Sequence, residues 1–195
     1  MLRRKNRNNL ELVFPLKKTI FFDRDGTLII DKIYLNDPEQ ITYLPGAFEA
    51  LKELRDAGFQ FVIVTNQSGV PRGLVTIENL DEIHRRITAA FAEHDLKFAG
   101  IYYAPYSVES NHDMRKPNTG MLKAADRDLG GIDFANSWMV GDRMSDIECG
   151  HRAGCKTVLL AGVEVPGDSS FAPPEIFAPD LLTATREMLK FDLRK

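Results

Sequence analysis

Two carboxylates two positions apart close an apolar run. Ile20-Phe21-Phe22 leads straight into Asp23-Arg24-Asp25-Gly26-Thr27. Buried charge is costly unless it is paired or holds a metal. Acids at the end of a buried strand therefore either cap a turn or do chemistry. A second pair, Asp142 and Asp146, lies one helical turn apart after Trp138-Met139-Val140-Gly141. Carboxylates gathered in one pocket repel and raise each other's pKa. A hard divalent cation removes that conflict, and all-oxygen ligands with room for water suit Mg²⁺. Carboxylates with Mg²⁺, a Thr hydroxyl and a Lys ammonium point to phosphoryl transfer. One Asp can act as nucleophile and form an aspartyl-phosphate. A second can protonate the leaving oxygen and then deprotonate the attacking water. Thr65 and Lys116 can bind the phosphoryl oxygens as negative charge spreads over them.

Such groups need rigid elements to hold them. Near-continuous apolar runs end at Asp23 and cover 59–65, 101–105, 138–142 and 156–160, as expected of strands covered on both faces. Between them, apolar residues recur at helical spacing over 47–57, 77–93 and 119–129, with a final helix over 181–190. Ser145 and Glu148 have the form of a capping box. The Pro-, Gly- and Ser-rich 163–180 segment reads as a loop. Strand–helix alternation of this kind predicts an α/β fold, a doubly wound parallel sheet with helices on both faces. Ligands then sit beyond the carboxyl ends of the strands. Those ends are Asp23-Arg24-Asp25, Thr65-Asn66-Gln67-Ser68, the 105–116 loop and Gly141-Asp142-Arg143. On an extended chain Asp23 and Asp25 start on one side and Arg24 points away.

The whole chain sets outer bounds. It has 195 residues, 44% hydrophobic and 27% charged, which suits one domain over 18–195. Arg3, Arg4, Lys5 and Arg7 make 1–17 a basic, flexible arm. The net charge of -3 argues against a nucleic-acid partner. No run is apolar enough for a secretory signal or a membrane span. Two cysteines, Cys149 and Cys155, are too few for a disulfide scaffold. They read as core residues of a cytoplasmic protein.

DRDGT, VTNQSG, RKP and GDRMSD, in that order from about Thr19 to Leu160, resemble the four motifs of the haloacid dehalogenase-like (HAD) phosphatases. The resemblance implies a Rossmannoid fold with a minimal cap. By position, Asp23 is the nucleophile, Asp25 the acid and base, Thr65 the motif hydroxyl and Lys116 the motif lysine. Asp142 would bind Mg²⁺ together with Asp23 and the Asp25 backbone carbonyl, and Asp146 would support that site.

DRDGTLIIDKIYL, TNQSGVPRG, IYYAP, RKPNTGML and MVGDR are further similar to the subfamily of D-glycero-D-manno-heptose 1,7-bisphosphate and histidinol-phosphate phosphatases. That likeness implies a monomer acting on a small phosphorylated substrate. Asp31, Lys32, Ile33, Tyr34, Asn66, Gln67, Ser68, Arg115 and Arg143 would line its site. Arg115 would read a second phosphate, and Arg72 is a further candidate. The subfamily's zinc loop carries three Cys and one His. Here that loop is APYSVESNHDM, without cysteine, so no structural zinc is expected. A nucleic-acid 3′-phosphatase shares part of the pattern; the basic arm favours it and the net acidity opposes it. A decayed, non-enzymatic relative would have lost one of the motif residues, and all are present.

Overall fold

The structure is a computed structural model that describes residues 16–160 and 170–193. Six strands form one parallel sheet in the order β3-β2-β1-β4-β5-β6. They are β1 (Thr19–Phe22), β2 (Gln60–Asn66), β3 (Phe98–Ala104), β4 (Trp138–Gly141), β5 (Lys156–Leu160) and β6 (Ile176–Ala178). The helices are α1 (Ala47–Asp56), α2 (Ile77–Ala92), α3 (Gly120–Asp128), α4 (Met144–Ala153) and α5 (Leu181–Asp192). The α/β expectation is met, and the strands whose runs are apolar throughout are those in the sheet's centre. All four residues of β1 and of β4 are buried, since parallel sheets are covered on both faces.

One apolar cluster contains Ile20, Phe22, Leu51, Leu54, Ile83, Ile87 and Phe91; the other contains Phe21, Val62, Met121, Leu122 and Met139. Alternate residues of β1 thus go to opposite clusters. Anchored in both, the strand leaves little freedom to the Asp23 that follows it. The Asp23 amide is tied again by donating to the Val140 carbonyl of β4 at 2.9 Å.

After β1 the chain makes a small excursion before α1. Ile30 N–H donates to Thr42 O and Leu44 N–H to Leu28 O, closing a short flap over 28–44. This is all the cap the fold carries between β1 and α1. Tyr43 roots it in the core, 5.1 Å from Phe48 and 5.8 Å from Phe91 between ring centroids.

Two expectations change. The 163–180 segment is not all loop, because Ile176–Ala178 adds β6 to the edge of the sheet beside β5. The strand is three residues long and close to Pro173, Pro174 and Pro179, so no periodicity marks it. It is fastened from outside the ladder: Glu175 Oε2 accepts from both the amide and the hydroxyl of Thr157, each at 2.7 Å. The capping box at Ser145 and Glu148 is displaced by two residues. Arg143 is the N-cap of α4, and its amide donates to Asp146 Oδ2 at 3.1 Å. The basic cluster at 3–7 lies outside the described residues, but Lys17 already bridges Ile132. Among the described residues no helix is long and apolar enough to cross a membrane.

Phe91 joins α2 to β3 and to the flap, and is fully buried. Phe91→Ala should lower unfolding free energy by about 3–5 kcal/mol, read from urea denaturation. A cost near zero would show that the cluster collapses around the gap.

Candidate active site

Lys116 is almost wholly buried, with a side-chain exposure of 1%. Its ammonium has three protons and three acceptors. Nζ lies 2.8 Å from Asp23 Oδ1, 2.7 Å from Asp146 Oδ1 and 2.8 Å from the Val64 carbonyl oxygen. Burial pulls the lysine pKa down, but Asp146 and Asp23 outweigh it and hold the group charged, above the ordinary lysine range. Every proton is therefore taken up within the protein, so the lysine first serves to hold two carboxylates.

Asn66, at the end of β2, fixes the backbone of that lysine. Its Oδ1 accepts from Lys116 N–H at 3.0 Å and its Nδ2 donates to Lys116 O at 3.1 Å. Asn66 lines the cavity, but its amide is spent on this clamp and not turned to a ligand.

The neighbouring Gln67 links two other predicted residues. Its Nε2 donates to Asp25 Oδ2 at 3.0 Å and to Thr65 Oγ1 at 2.9 Å. A carboxylate only accepts, which fixes the amide's orientation. Because Thr65 Oγ1 accepts there, its own proton is left to donate.

Asp25 is also gripped by its neighbour. Arg24 Nε lies 3.1 Å from Asp25 Oδ2, and Nη2 lies 3.1 Å from Oδ1 and 2.8 Å from Oδ2. The expectation that Arg24 points away is therefore wrong. It assumed an extended chain, whereas the strand ends at Phe22. The amides of Leu28 and Ile29 both donate to Arg24 O, and Gly26 takes a φ of 77°. The chain is turning, and alternation no longer applies. Burial raises the Asp25 pKa, with Arg24 pulling the other way. Behind Arg24, Nη1 lies 3.1 Å from His84 Nε2. Burial, reinforced by Arg24, lowers His84 to about 3, so the ring is neutral and its Nε2 lone pair is the acceptor. His84 occupies the apolar face of α2 with Leu80, Ile83, Ile87 and Phe91. An ionisable residue at that spacing was the signal for this network in the sequence.

Asp23, Asp142 and Asp146 each offer one carboxylate oxygen, all within 4.8 Å of one another. Three negative charges against Lys116 leave a net of minus two. Asp142 Oδ1 is buried with no hydrogen-bond partner among the described residues. Burial, reinforced by Asp23 and Asp146, raises Asp142 to about 7. An unpartnered buried oxygen in an all-oxygen set with two surplus charges fits a divalent hard cation. Glycines admit the crowding: a Cβ on Gly26 would fall 2.4 Å from Asp142 Oδ2, and one on Gly141 would fall 2.2 Å from Asp146 Oδ2.

These groups meet a cavity of about 110 Å³, whose wall includes Asp23, Asp25, Gln67, Ser68, Lys116 and Arg143. Asp31, Ile33, Tyr34 and Asn66 also line it, as does Ser145, which was not foreseen. Lys32, Thr65, Arg115 and Asp142 are not part of the wall. Lys32 is exposed. Arg143 Nη2 reaches Asp31 Oδ2 at 3.0 Å, and Asp31 Oδ1 accepts from Ile33 N–H at 2.6 Å. Ile33 pays in strain, with a φ of 67° that a β-branched side chain rarely adopts.

Arg72 Nη1 donates to Tyr34 Oη at 2.8 Å. Arg115 Nη1 donates to Tyr106 O at 3.0 Å. Burial lowers the Arg115 pKa, as do Arg143 and Arg72, while Glu109 opposes them. Three arginines thus feel one another beside the cavity. Without cysteines, the 105–116 loop is held by the Tyr106 and His112 rings, stacked with centroids 3.5 Å apart.

Comparison of the sequence with known proteins assigns it to a family. The family model for haloacid dehalogenase-like hydrolases matches residues 20–89, and a HAD-hydrolase-like model matches residues 113–184. A D-glycero-beta-D-manno-heptose-1,7-bisphosphate 7-phosphatase of Pasteurella multocida is 37% identical over 157 residues, 77% of this chain and 85% of that protein. The enzyme of that name from Escherichia coli is 38% identical over 154 residues, covering 75% and 80%. The chain belongs to the haloacid dehalogenase-like hydrolases.

Solved structures agree with this HAD-like assignment. A D,D-heptose 1,7-bisphosphate phosphatase from B. bronchiseptica, complexed with magnesium and phosphate, superposes with a TM-score of 0.77 at 27% identity, covering 89% of this chain and 99% of that one. One from Burkholderia thailandensis gives 0.64 at 26% identity, with the same coverage.

The raised Asp142 has a definite consequence for this HAD-like hydrolase. Its folded pKa of about 7 exceeds the ordinary 3.8, so the folded protein binds the extra proton in between. The metal-free protein should therefore lose stability as pH rises from 3.8 to about 7 through this group. Mg²⁺ should restore it, most of all above that window. Melting temperature against pH, with Mg²⁺ or chelator, measures this. Asp142→Asn should flatten the slope and remove the Mg²⁺ shift; an unchanged Mg²⁺ shift would place the cation elsewhere.

Proposed function

We propose that this HAD-like phosphatase removes the 7-phosphate of D-glycero-D-manno-heptose 1,7-bisphosphate through an aspartyl-phosphate on Asp23. The observation that carries the chemistry is the pair of dissimilar carboxyls at one cavity wall. Asp23 is paired with a buried ammonium, while Asp25 is held apart from it by Gln67 and Arg24. Two carboxyls in different surroundings can take the two roles of nucleophile and acid. Similarity to the named heptose bisphosphate phosphatases supports the substrate.

In the first step an Asp23 carboxylate oxygen bonds to phosphorus as the bond to the sugar oxygen breaks. Asp25 gives its proton to that oxygen, which leaves as an alcohol. In the second step the Asp25 carboxylate takes a proton from water, whose oxygen bonds to phosphorus. The bond to Asp23 breaks and inorganic phosphate leaves, with Asp25 protonated again. The Thr65 hydroxyl, with its proton free, donates to a phosphoryl oxygen. Asp23, Asp142 and the Asp25 backbone carbonyl would hold Mg²⁺, with Asp146 behind them, and the ion would supply positive charge opposite the phosphoryl oxygens. Arg115 reads the second phosphate, helped by Arg72 and Arg143 at the same mouth, because guanidinium groups can fork onto phosphate. Asp31, Lys32, Ile33, Tyr34 and Ser68 shape the sugar side. Residues 18–195 act as one catalytic unit, supported by the continuous sheet. The reading is of a cytoplasmic monomer that needs no structural zinc and no nucleic acid, with the ring stack of Tyr106 and His112 in support of a metal-free loop.

Asp23→Asn should leave the fold intact and abolish turnover; substantial remaining activity would move the nucleophile. A steady-state panel of both anomers of the heptose bisphosphate, histidinol phosphate and fructose bisphosphate tests the substrate. Preference for histidinol phosphate would overturn the heptose assignment but not the chemistry. Arg115→Ala should cost bisphosphates far more in kcat/KM than monophosphates, and equal losses would show that Arg115 does not read the second phosphate.

A further inference from the structure

A fully buried arginine lies between the two acids, and no step above uses it. Arg24 is 1% exposed. Its Nε and Nη2 form a fork onto both oxygens of Asp25, and its Nη1 reaches back to His84 Nε2. Arginine only donates, so the neutral His84 must accept there and carry its proton on Nδ1. The His84 ring packs on Tyr103, with centroids 5.5 Å apart. Tyr103 in turn pairs with Thr65 in the sheet. A chain of contacts thus runs from the helix α2, through one guanidinium, to the carboxyl of Asp25.

We propose that Arg24 is a positioning residue for Asp25, with His84 as its back support, so that the acid meets the leaving oxygen in one fixed orientation. The proposal rests on the reading of Asp25 as general acid. Three features favour positioning over a plain ion pair. The fork engages both carboxylate oxygens, which removes rotation about the carboxyl bond. Gln67, just beyond the end of the neighbouring strand β2, adds a donor at Oδ2. Each carboxylate oxygen has two lone-pair sites, so Oδ1, with one donor from the fork, keeps one site free, and Asp25 lines the cavity. A lysine in the same place would supply the charge but not the planar fork.

A positioned acid matters most when the leaving group is poor. An alkyl phosphate needs its oxygen protonated as the bond breaks, while dinitrophenyl phosphate leaves without that help. The value of kcat/KM covers the steps through transfer to Asp23. Arg24→Lys should lower it by about 100-fold for an alkyl phosphate and by no more than about 3-fold for dinitrophenyl phosphate. His84→Gln, which keeps the arginine, should show the same asymmetry at about 10-fold. It carries the test should Arg24→Lys not fold by circular dichroism. Asp25→Asn is the control. If it is asymmetric while folded Arg24→Lys and His84→Gln lose both substrates equally, or lose neither, positioning is overturned and the acid stands. If Asp25→Asn itself loses both substrates equally, the acid assignment fails instead.

Discussion

A buried ammonium organises this molecule's chemistry. Lys116 is removed from water, which is tolerable only because two carboxylates and a carbonyl surround it. That one requirement ties together elements distant in the chain. Asp23 follows β1, Val64 lies in β2 and Asp146 in α4, and Asn66 fixes the lysine's own backbone. Removing the lysine would leave two buried carboxylates facing each other uncompensated. The arrangement still holds one negative charge more than Lys116 can offset, and with Asp142 two more. The cluster therefore carries a surplus of negative charge that a divalent cation would neutralise.

The second organising device is separation. Asp23 and Asp25 are two residues apart, yet each has its own partners: the lysine for one, an arginine fork and an amide for the other. The turn at Gly26 makes this possible. It bends the chain away from strand geometry, so that the two acids, though they line one cavity, meet different partners. Two groups of one chemical type thereby meet different surroundings within a few ångströms.

Much of this was legible in the sequence, because long apolar runs and charged strand ends are strong signals. The first five strands, the helices and the meeting of Asp23, Thr65, Lys116 and Asp142 follow from periodicity and from where ligands sit on parallel sheets. What escaped has identifiable causes. Arg24 was misplaced because strand alternation was carried one residue too far, into a turn. β6 was missed because three residues carry no period, and its hold on the sheet comes from Glu175 rather than from its own pattern. The roles of Asn66 and Gln67 as braces were not readable, since a short polar side chain next to a site looks the same whether it faces the ligand or the backbone. Arg115 is outside the cavity wall because its loop's side-chain directions are set by that loop's own packing, here the Tyr106 and His112 stack; Lys32 is outside it because it is exposed on the flap.

Asp146 does two jobs with its two oxygens. One accepts from the lysine; the other accepts from the backbone at the start of α4. Docking of that helix and assembly of the charged cluster are therefore a single cooperative event. A local opening that frays the first turn of α4 strips Lys116 of a counter-ion at the same moment, so partly assembled sites are poorly populated. Amide exchange at the start of α4 then becomes a direct gauge of how often the catalytic cluster comes apart.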